Sequence, residues 1–331
     1  MDDARGDETL WWDGGHRVLL PFRAPLALDE LIEFLGARAV PGVEAVVDGA
    51  YHRVLRLPGG PGVVSLRPDG LSDAGRGDGT GANRPPIVCH LRLTAARDAP
   101  AAVAACRRVL DLDADPAAVD TALAADPHLA PLVATTPGRR APVHPEADEL
   151  ALRAVLGQQV SLAAARRLAG QLTQLCGEPL ANPVGPLTTA FPTAAAVAEA
   201  DLDRLGMPGS RRATLRGLAA ALAGGAISLS PDADPDEVER RLLDLRGIGP
   251  WTASYIRMRG LGDPDVVLTT DLGVRHALDR LGMSRVDPRR LRRRWSPVGS
   301  YAVHHLWASL PSPEPSRNRG DRRDRRDRRD R

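Results

Sequence analysis

The sequence predicts an α+β fold, in which a small N-terminal antiparallel α+β domain precedes a mainly α-helical body. Short apolar runs near the N-terminus, VLL at 18–20 and VLRL at 54–57, indicate strands. Leucine and isoleucine residues between 28 and 35 recur at helical spacing. From residue 96 onward, helical periodicity continues almost without interruption. A chain of 331 residues has room for about two or three domains.

The α+β domain is assigned to residues 16–95, after a flexible N-terminus at 1–15. Apolar residues at 63–67 and 87–93 predict a pair of neighbouring strands. The segment 68–86 between them contains five glycines and has neither helical nor strand periodicity. We therefore expect a long mobile loop at 68–86.

The helical body is assigned to residues 96–311. Helical periodicity, interrupted by clusters of helix-breaking Gly and Pro residues, predicts helices at 100–111, 116–125, 146–175, 193–204, 211–223, 234–244, 250–260, 271–282, 287–294 and 298–309. Residues 312–331 repeat Asp-Arg-Arg triplets with almost no apolar side chains, so we expect a disordered tail there.

Composition excludes several classes of protein. No stretch reaches the roughly 18–20 apolar residues of a membrane span, and the acidic start lacks the pattern of a signal peptide. We therefore expect a soluble, cytoplasmic protein without a membrane partner. The three cysteines lie far apart and are odd in number, which favours neither a disulfide framework nor a zinc or iron–sulfur site.

The basic residues are unusual in kind and in position. All 44 residues counted as lysine or arginine are arginine, so no lysine amine is present to form a Schiff base. Arginine still binds phosphate well through its bidentate guanidinium. Nine arginines and five acidic residues give the segment 312–331 a net charge of +4. Because the whole chain has a net charge of +2, the rest of the chain has a net charge of −2. Any nucleic-acid contact by the rest of the chain must therefore be local.

The segment 245–255 (LRGIGPWTASY) joins two predicted helices through two glycines. Gly247 and Gly249 permit a tight reversal and the close approach of another molecule's backbone. Their N–H groups, at the start of the second helix, would form a small anion-binding nest. Glycine hairpins also join helices for structural reasons alone, so this motif by itself is only moderately specific.

Asp271 ends a short extended run and begins a predicted helix. Such a residue usually caps the helix N-terminus, and alone it would be interpreted in that way. Aromatic residues, however, concentrate near it, because five of the eight Trp and Tyr residues lie in 251–307. Trp251 and Tyr255 share one helix face at i, i+4 spacing. Flat, electron-rich rings beside a carboxylate indicate a place where a flat ligand stacks.

The region 242–307 resembles the helix–hairpin–helix DNA glycosylases, with their Gly/Pro-rich loop and catalytic aspartate. Within them it is similar to the 3-methyladenine DNA glycosylase II family. Four segments carry the resemblance in order, at 156–161 (LGQQVS), 247–253 (GIGPWTA), 265–271 (DVVLTTD) and 295–307 (WSPVGSYAVHHLW). A weaker likeness extends back to about residue 16. The resemblance implies a two-lobed helical body with a helix–hairpin–helix motif at about 236–260.

It also implies a function: a monomeric enzyme that flips alkylated purines such as 3-methyladenine out of double-stranded DNA and hydrolyses their N-glycosidic bonds. Asp271 would be the catalytic carboxylate. The base pocket would be lined by Trp251, Tyr255 and Trp307. DNA contacts would come from Gln159, Gly247, Gly249 and Thr252. No cofactor is expected to be required, although a structural Na⁺ or K⁺ could be held by the carbonyls of Leu243, Leu245 and Ile248.

The resemblance includes departures from the family pattern. Relatives that also nick the strand carry a lysine where this chain has Trp251, so we expect base excision without strand cleavage. Gln159 stands where some relatives place an apolar wedge that fills the gap left by the flipped base. The alternative interpretation is that Gln159 occupies a solvated position on a helix and has no such role. His304 and His305 have no acidic or cysteine partner at ligand spacing, so we expect packing or surface positions for them.

Two other classes of protein compete with this interpretation. A non-catalytic helix–hairpin–helix DNA-binding module would keep both glycines but would not need Asp271 or the aromatic residues. A methyl-transferring repair protein would need an acceptor cysteine, but Cys89 follows Val88 rather than proline and lies in an alternating strand pattern. The breadth of base specificity, and whether Asp271 activates water or only stabilises the sugar cation, are left open by the residues.

Overall fold

The computed structural model describes residues 15–68 and 86–311. The predicted flexible N-terminus, nearly all of the predicted loop at 68–86 and the predicted disordered tail lie outside these residues. The predicted domain boundaries stay predictions. The α+β class is confirmed, because an antiparallel sheet precedes a helical body.

The sheet has five strands, and each neighbouring pair is antiparallel. In chain order they are β1 (His16–Leu20), β2 (Glu44–Val47), β3 (Ala50–Leu57), β4 (Gly60–Pro68) and β5 (Ile87–Arg92). Their order across the sheet is β1-β5-β4-β3-β2. The predicted strand pair is β4 and β5, with Val64 opposite Leu91. The short strand β2 had not been predicted.

Two helices, α1 (Leu28–Gly36) and α2 (Ala99–Val109), pack with the sheet around one apolar core. Leu31 and Leu35 bury one face of α1, as their spacing predicts, and each contributes roughly 1.5–3 kcal/mol through burial. Cys89 of β5 is fully buried in this core, which is consistent with its alternating pattern.

The remaining helices form the body. They are α3 (Pro116–Ala124), α4 (Ala130–Thr135), α5 (Ala147–Leu156), α6 (Leu162–Cys176), α7 (Ala194–Glu199), α8 (Gly209–Ala223), α9 (Pro235–Leu243), α10 (Pro250–Ile256), α11 (Leu272–Arg280), α12 (Pro288–Trp295) and α13 (Gly299–Ala308). A π-helical turn, Arg257–Leu261, continues α10. None of the described helices combines the length and the apolar character that crossing a bilayer requires.

The helix predicted at 146–175 is wrong as one element, because the chain breaks between α5 and α6. Ser161 explains the restart: it has extended backbone dihedrals, and its side chain accepts the Ala164 N–H at 3.2 Å, so it caps α6. Gln159 lies within the break with φ of 55°, a left-handed conformation that a continuous helix does not contain.

A two-stranded hairpin, β6 (Glu178–Val184) and β7 (Leu187–Ala190), follows α6 and was not predicted. The N–H groups of Thr188 and Thr189 donate to the Gly42 carbonyl at 2.8 and 3.1 Å. The hairpin, which follows α6, is therefore attached to the loop before β2.

The body contains two apolar cores. One is built mainly from α5 to α10 with residues of the β6–β7 hairpin. The other is built from α3, α4 and α11 to α13. Tyr255 of α10 packs against both cores. The predicted two-lobed body is thus present. The candidate site lies between its two lobes.

A buried ion-pair cluster joins the sheet to the body. Arg53 of β3 pairs with Glu44 of β2 at 2.8 Å and with Glu149 of α5 at 2.5 Å. Arg153 of α5 pairs with the same two carboxylates at 2.8 and 2.7 Å. Burial alone would raise the pKa of Glu149, but Arg53, His144 and Arg153 together outweigh it and hold that pKa below its ordinary range. The cluster fixes α5 against the sheet.

Candidate active site

Asp271 is the N-cap of α11, and its carboxylate is held by three N–H donors. Oδ1 accepts the main-chain N–H of Val274 at 2.9 Å and the indole N–H of Trp307 at 2.9 Å. Oδ2 accepts the indole N–H of Trp251 at 2.8 Å. The capping role and the contact with aromatic residues, which the sequence presents as alternatives, occur together. The carboxylate is consequently fixed in position.

Three aromatic rings surround this carboxylate. Trp251 and Tyr255 stack with a centroid distance of 5.2 Å and an interplanar angle of 13°. The Tyr255 and Trp307 rings are 6.4 Å apart and inclined by 55°. Together with Asp271 they line a pocket of about 250 Å³ where the sheet and both lobes meet. The structure therefore brings together the four residues that the sequence proposes for catalysis and base binding.

The other two aromatic residues of this region do not reach the pocket. Trp295 is 2% exposed and donates its indole N–H to Asp126 at 2.7 Å. Tyr301 is buried in the same lobe, and burial raises the pKa of its hydroxyl. Both serve the core around α12 and α13, so only part of the aromatic cluster seen in the sequence belongs to the site.

The hairpin runs from α9 to α10 through residues 244–249. Gly247 has φ of 91°, and a Cβ there would lie 2.0 Å from the hydroxyl oxygen of Thr214. Gly249, the N-cap of α10, has no atom within 4 Å of such a Cβ and no left-handed φ. The fold therefore requires only the first glycine, whereas the second leaves open space beside the helix N-terminus. Ile248 between them is 6% exposed and packs into the first lobe.

Thr252 does not present its side chain to solvent. It is 3% exposed, and its hydroxyl accepts the side-chain amide of Gln158 at 2.9 Å. A DNA contact from Thr252 would therefore have to come from its main-chain N–H, in the first turn of α10, where such groups lack intrahelical partners. The Gln158 amide also donates to the Gly247 carbonyl at 3.0 Å.

Gln158 was missed in the sequence, although its neighbour Gln159 was singled out. Gln159 is exposed at the break between α5 and α6 and does not line the pocket. Leu162, which follows at the start of α6, is also exposed, at 41%. The sequence spacing does not distinguish these two adjacent glutamines. The left-handed φ of Gln159, which directs its side chain away from the pocket, is visible only in the structure.

The proposed cation ligands lie at the end of α9 and in the hairpin. Leu243 is the last residue of α9, where helix carbonyls lack intrahelical donors. The Leu245 carbonyl accepts the Ile248 N–H at 3.0 Å and keeps a second lone pair. Main-chain carbonyl oxygens are suitable ligands for a hard monovalent cation.

The wall behind Trp307 was also missed in the sequence. Phe34 of α1 stacks on Trp307 at 6.2 Å and 20°, and His304 meets the Trp307 ring edge-on at 5.1 Å. His304 and His305 are both buried, and burial lowers the pKa of each, so they are neutral packing residues. Arg38 and Arg259 also line the pocket. The sheet domain thus contributes to the site through α1 and through strand residues Glu44 and Tyr51.

The chain matches two family models. One, described as AlkA N-terminal domain, covers residues 17–146, and the other, described as HhH-GPD superfamily base excision DNA repair protein, covers residues 152–298. The chain is 34% identical over 293 residues to DNA-3-methyladenine glycosylase 2 of Escherichia coli, across 87% of this chain and 95% of that protein.

A second relative is longer. The chain is 44% identical over 300 residues to a probable bifunctional transcriptional activator/DNA repair enzyme AlkA of Mycobacterium tuberculosis, across 89% of this chain. It spans 57% of the length of that relative. Among solved structures, the 3-methyladenine DNA-glycosylase from Archaeoglobus fulgidus superposes with a TM-score of 0.71 at 21% identity, covering 88% of this chain and 97% of the other. That likeness concerns the fold alone.

Proposed function

Because this chain belongs to the AlkA-type family within the HhH-GPD superfamily of base excision DNA repair proteins, we propose that it is a DNA glycosylase. Its substrate would be double-stranded DNA containing alkylated purines such as 3-methyladenine, whose N-glycosidic bond it hydrolyses as a monomer. The observation that carries the proposal is the Asp271 carboxylate, fixed by three N–H donors beside a pocket of stacked aromatic rings.

The aromatic rings bind the base after it leaves the duplex. Extruding a nucleotide costs a few kcal/mol, and stacking on aromatic side chains returns roughly 1–3 kcal/mol per base. A purine alkylated at N3 or N7 carries positive charge, which the electron-rich faces of Trp251 and Trp307 attract. The pocket thus favours a damaged base over its uncharged parent.

Asp271 stabilises the sugar as the bond breaks. The cationic base is already a good leaving group, so the main requirement is to stabilise the positive charge that develops on the deoxyribose. A carboxylate held in one position does this electrostatically, without reorganising during the reaction. Three N–H donors occupy three of the roughly four lone-pair directions of this carboxylate. One direction remains for a water, which leaves room for Asp271 to orient the nucleophile as well.

The hairpin holds the DNA backbone. Main-chain N–H groups at Gly247, Gly249 and Thr252 would bind a phosphate at the N-terminus of α10, where the open side of Gly249 admits the close approach of the backbone. A Na⁺ or K⁺ on the carbonyls of Leu243, Leu245 and Ile248 would stiffen the hairpin. The exposed Gln159 would fill the gap left by the flipped base.

Strand cleavage is not part of the proposed reaction. Cleavage by a lyase of this superfamily needs an amine to form a Schiff base, and this sequence contains no lysine. The position that would carry the amine is Trp251, whose indole N–H instead holds Asp271 at 2.8 Å. We therefore propose a monofunctional enzyme that leaves an intact abasic site.

The test is the identification of the released products. Methylated duplex DNA is incubated with wild-type protein and with Asp271→Asn, and the free bases and the strand length are analysed. The proposal expects free 3-methyladenine from the wild type, little from the variant, and unbroken strands from both. Binding of DNA without base release by the wild type would instead identify a non-catalytic helix–hairpin–helix module.

A further inference from the structure

Three arginines line the base pocket without an acidic partner in the described part of the chain. Arg166 donates its Nε to the Ala39 carbonyl at 2.9 Å, whereas Arg38 and Arg259 both lie against the ring of Phe34. Arg53 and Arg153, in the neighbouring ion-pair cluster, each contact two carboxylates. In residues 15–68 and 86–311, by contrast, no carboxylate forms an ion pair with Arg38 or Arg259, although both line the pocket. Guanidinium groups without an ion pair are unexpected in a site that receives a cationic base, and they require an explanation.

Arg38 is held by aromatic and main-chain contacts. Its guanidinium carbon lies 3.6 Å from the ring centroid of Phe34 and 5.9 Å from that of Trp307. One terminal nitrogen donates to the Phe34 carbonyl at 3.1 Å. Burial lowers the pKa of Arg38 to about 10, so the group is still cationic at neutral pH. Its planar donor set therefore faces the pocket in a fixed position.

Arg259 lies deeper, in the π-helical turn after α10. Its side chain is 3% exposed, and its Nε donates to the Pro142 carbonyl at 2.7 Å. The guanidinium carbon lies 4.8 Å from the Phe34 ring centroid. Its terminal nitrogen Nη1 is buried and has no hydrogen-bond partner among the described residues. A buried donor without a partner costs free energy, and a ligand that supplies an acceptor would recover it.

Asp271 and the two arginines offer different hydrogen-bonding groups to the pocket. Asp271, at the start of α11, supplies an acceptor for the sugar side of the nucleotide. Arg38 and Arg259, which flank Phe34, offer only donors, because a guanidinium has no acceptor. A base edge that points towards them must present oxygen or nitrogen lone pairs. A carbonyl at C6 of a purine does so, whereas an exocyclic amino group at C6 offers two more donors.

We propose that Arg38 and Arg259 determine base specificity by favouring purines with a carbonyl at C6 over purines with an amino group at C6. This inference rests on the proposed glycosylase function. It also assigns a role to the sheet domain, since Arg38 lies just after α1 and is one of that domain's residues in the pocket lining.

One methylated DNA sample contains both kinds of base. DNA treated with a methylating agent carries 7-methylguanine, with a C6 carbonyl, and 3-methyladenine, with a C6 amino group. Both bases are cationic, so electrostatic repulsion by the arginines affects both and cancels in the ratio of their kcat/KM values. That ratio is measured by competition for wild type, Arg38→Met and Arg259→Met. The exposed Arg289 of α12 supplies the control variant, Arg289→Met.

The expected result is a ratio of 7-methylguanine to 3-methyladenine that falls about tenfold or more in Arg38→Met, the size expected for one charge-assisted hydrogen bond. The ratio should also fall in Arg259→Met, and the ratio in Arg289→Met should match that of wild type. Thermal melts check folding, and Arg38→Gln replaces Arg38→Met if the latter does not fold. A ratio within twofold of wild type, with both bases still released, overturns the inference alone. Release of neither base by wild type overturns the proposed function and this inference with it.

Discussion

The indole N–H of Trp307 donates to Oδ1 of Asp271 at 2.9 Å, which links the end of α13 to the start of α11. The indole N–H of Trp251 approaches the other carboxylate oxygen at 2.8 Å. Each tryptophan thus has two roles in the proposed site, since its ring face lines the pocket while its N–H orients the acid. These roles can be separated by substitutions that keep the ring and remove the N–H.

Trp307→Phe tests the orienting role. Phenylalanine keeps a flat ring in the pocket but cannot donate to Asp271, so the carboxylate loses one of its three N–H donors. We expect base excision under single-turnover conditions to slow about tenfold, in line with one hydrogen bond to a charged group. Trp251→Phe should have a similar effect on the other oxygen. Rates within twofold of wild type for both variants would mean that stacking alone explains the two tryptophans.

Gly247→Ala tests which glycine the hairpin requires. The methyl group of an alanine at this position would collide with Thr214, and the alanine would have to adopt an unfavourable left-handed φ. We expect a loss of about 1–3 kcal/mol in the free energy of unfolding, measured by urea denaturation. Gly249→Ala is the matched control for stability, because its Cβ meets open space. Equal destabilisation by both substitutions would contradict this account of the hairpin.

Much of the fold could be predicted because its signals are local. Leucine spacing identifies α1, and the alternating pattern identifies β5, since each reflects one face buried in the core. Two of the failures have local physical causes. Ser161 caps a new helix where periodicity suggests continuity, and the β6–β7 hairpin is exposed along much of its length, so its apolar alternation is weak.

The candidate site could be predicted only in part. Asp271, Trp251 and Trp307 stand out because aromatic residues are few in this chain and cluster in the region that contains this aspartate. Arg38 and Arg259 do not stand out among 44 arginines, and only tertiary packing brings α1 against α10 and α13. Trp295 shows the opposite error, since it belongs to the sequence cluster but is a core residue bonded to Asp126.

Gln159→Ala tests whether this exposed side chain fills the gap in the duplex. We expect excision of a paired damaged base to slow about tenfold, because the extruded state loses a contact worth roughly 1 kcal/mol or more. The loss should be smaller when the opposite nucleotide is abasic, since extrusion then costs less. Gln159→Leu, which restores bulk, should recover most of the rate. Equal losses on paired and unpaired lesions would argue that Gln159 is only a solvated loop residue.

His305 makes stability depend on pH. Burial lowers its pKa to about 3, from an ordinary value of 6.5. A depressed pKa contributes stability that is fully present above pH 6.5 and is lost as pH falls towards 3. Between pH 7.5 and pH 5, wild type should therefore lose roughly 2 kcal/mol relative to His305→Gln.

The measurement is the difference in unfolding free energy between wild type and variant at each pH, from urea titrations. His276→Gln is the control, because His276 is exposed in the folded protein. A difference for His305→Gln that is constant from pH 7.5 to pH 5 would show that His305 becomes charged without cost in the folded state.

Asp271→Asn tests the central claim most directly when rate and affinity are measured on the same methylated duplex. Asparagine keeps the size of the side chain and one acceptor oxygen, but it removes the charge that would stabilise the sugar cation. We expect single-turnover release of 3-methyladenine to fall by about 100-fold or more, while the dissociation constant for the duplex stays within about threefold because the hairpin contacts remain. Release at the wild-type rate by a variant that binds DNA normally would contradict the assignment of Asp271 as the catalytic carboxylate.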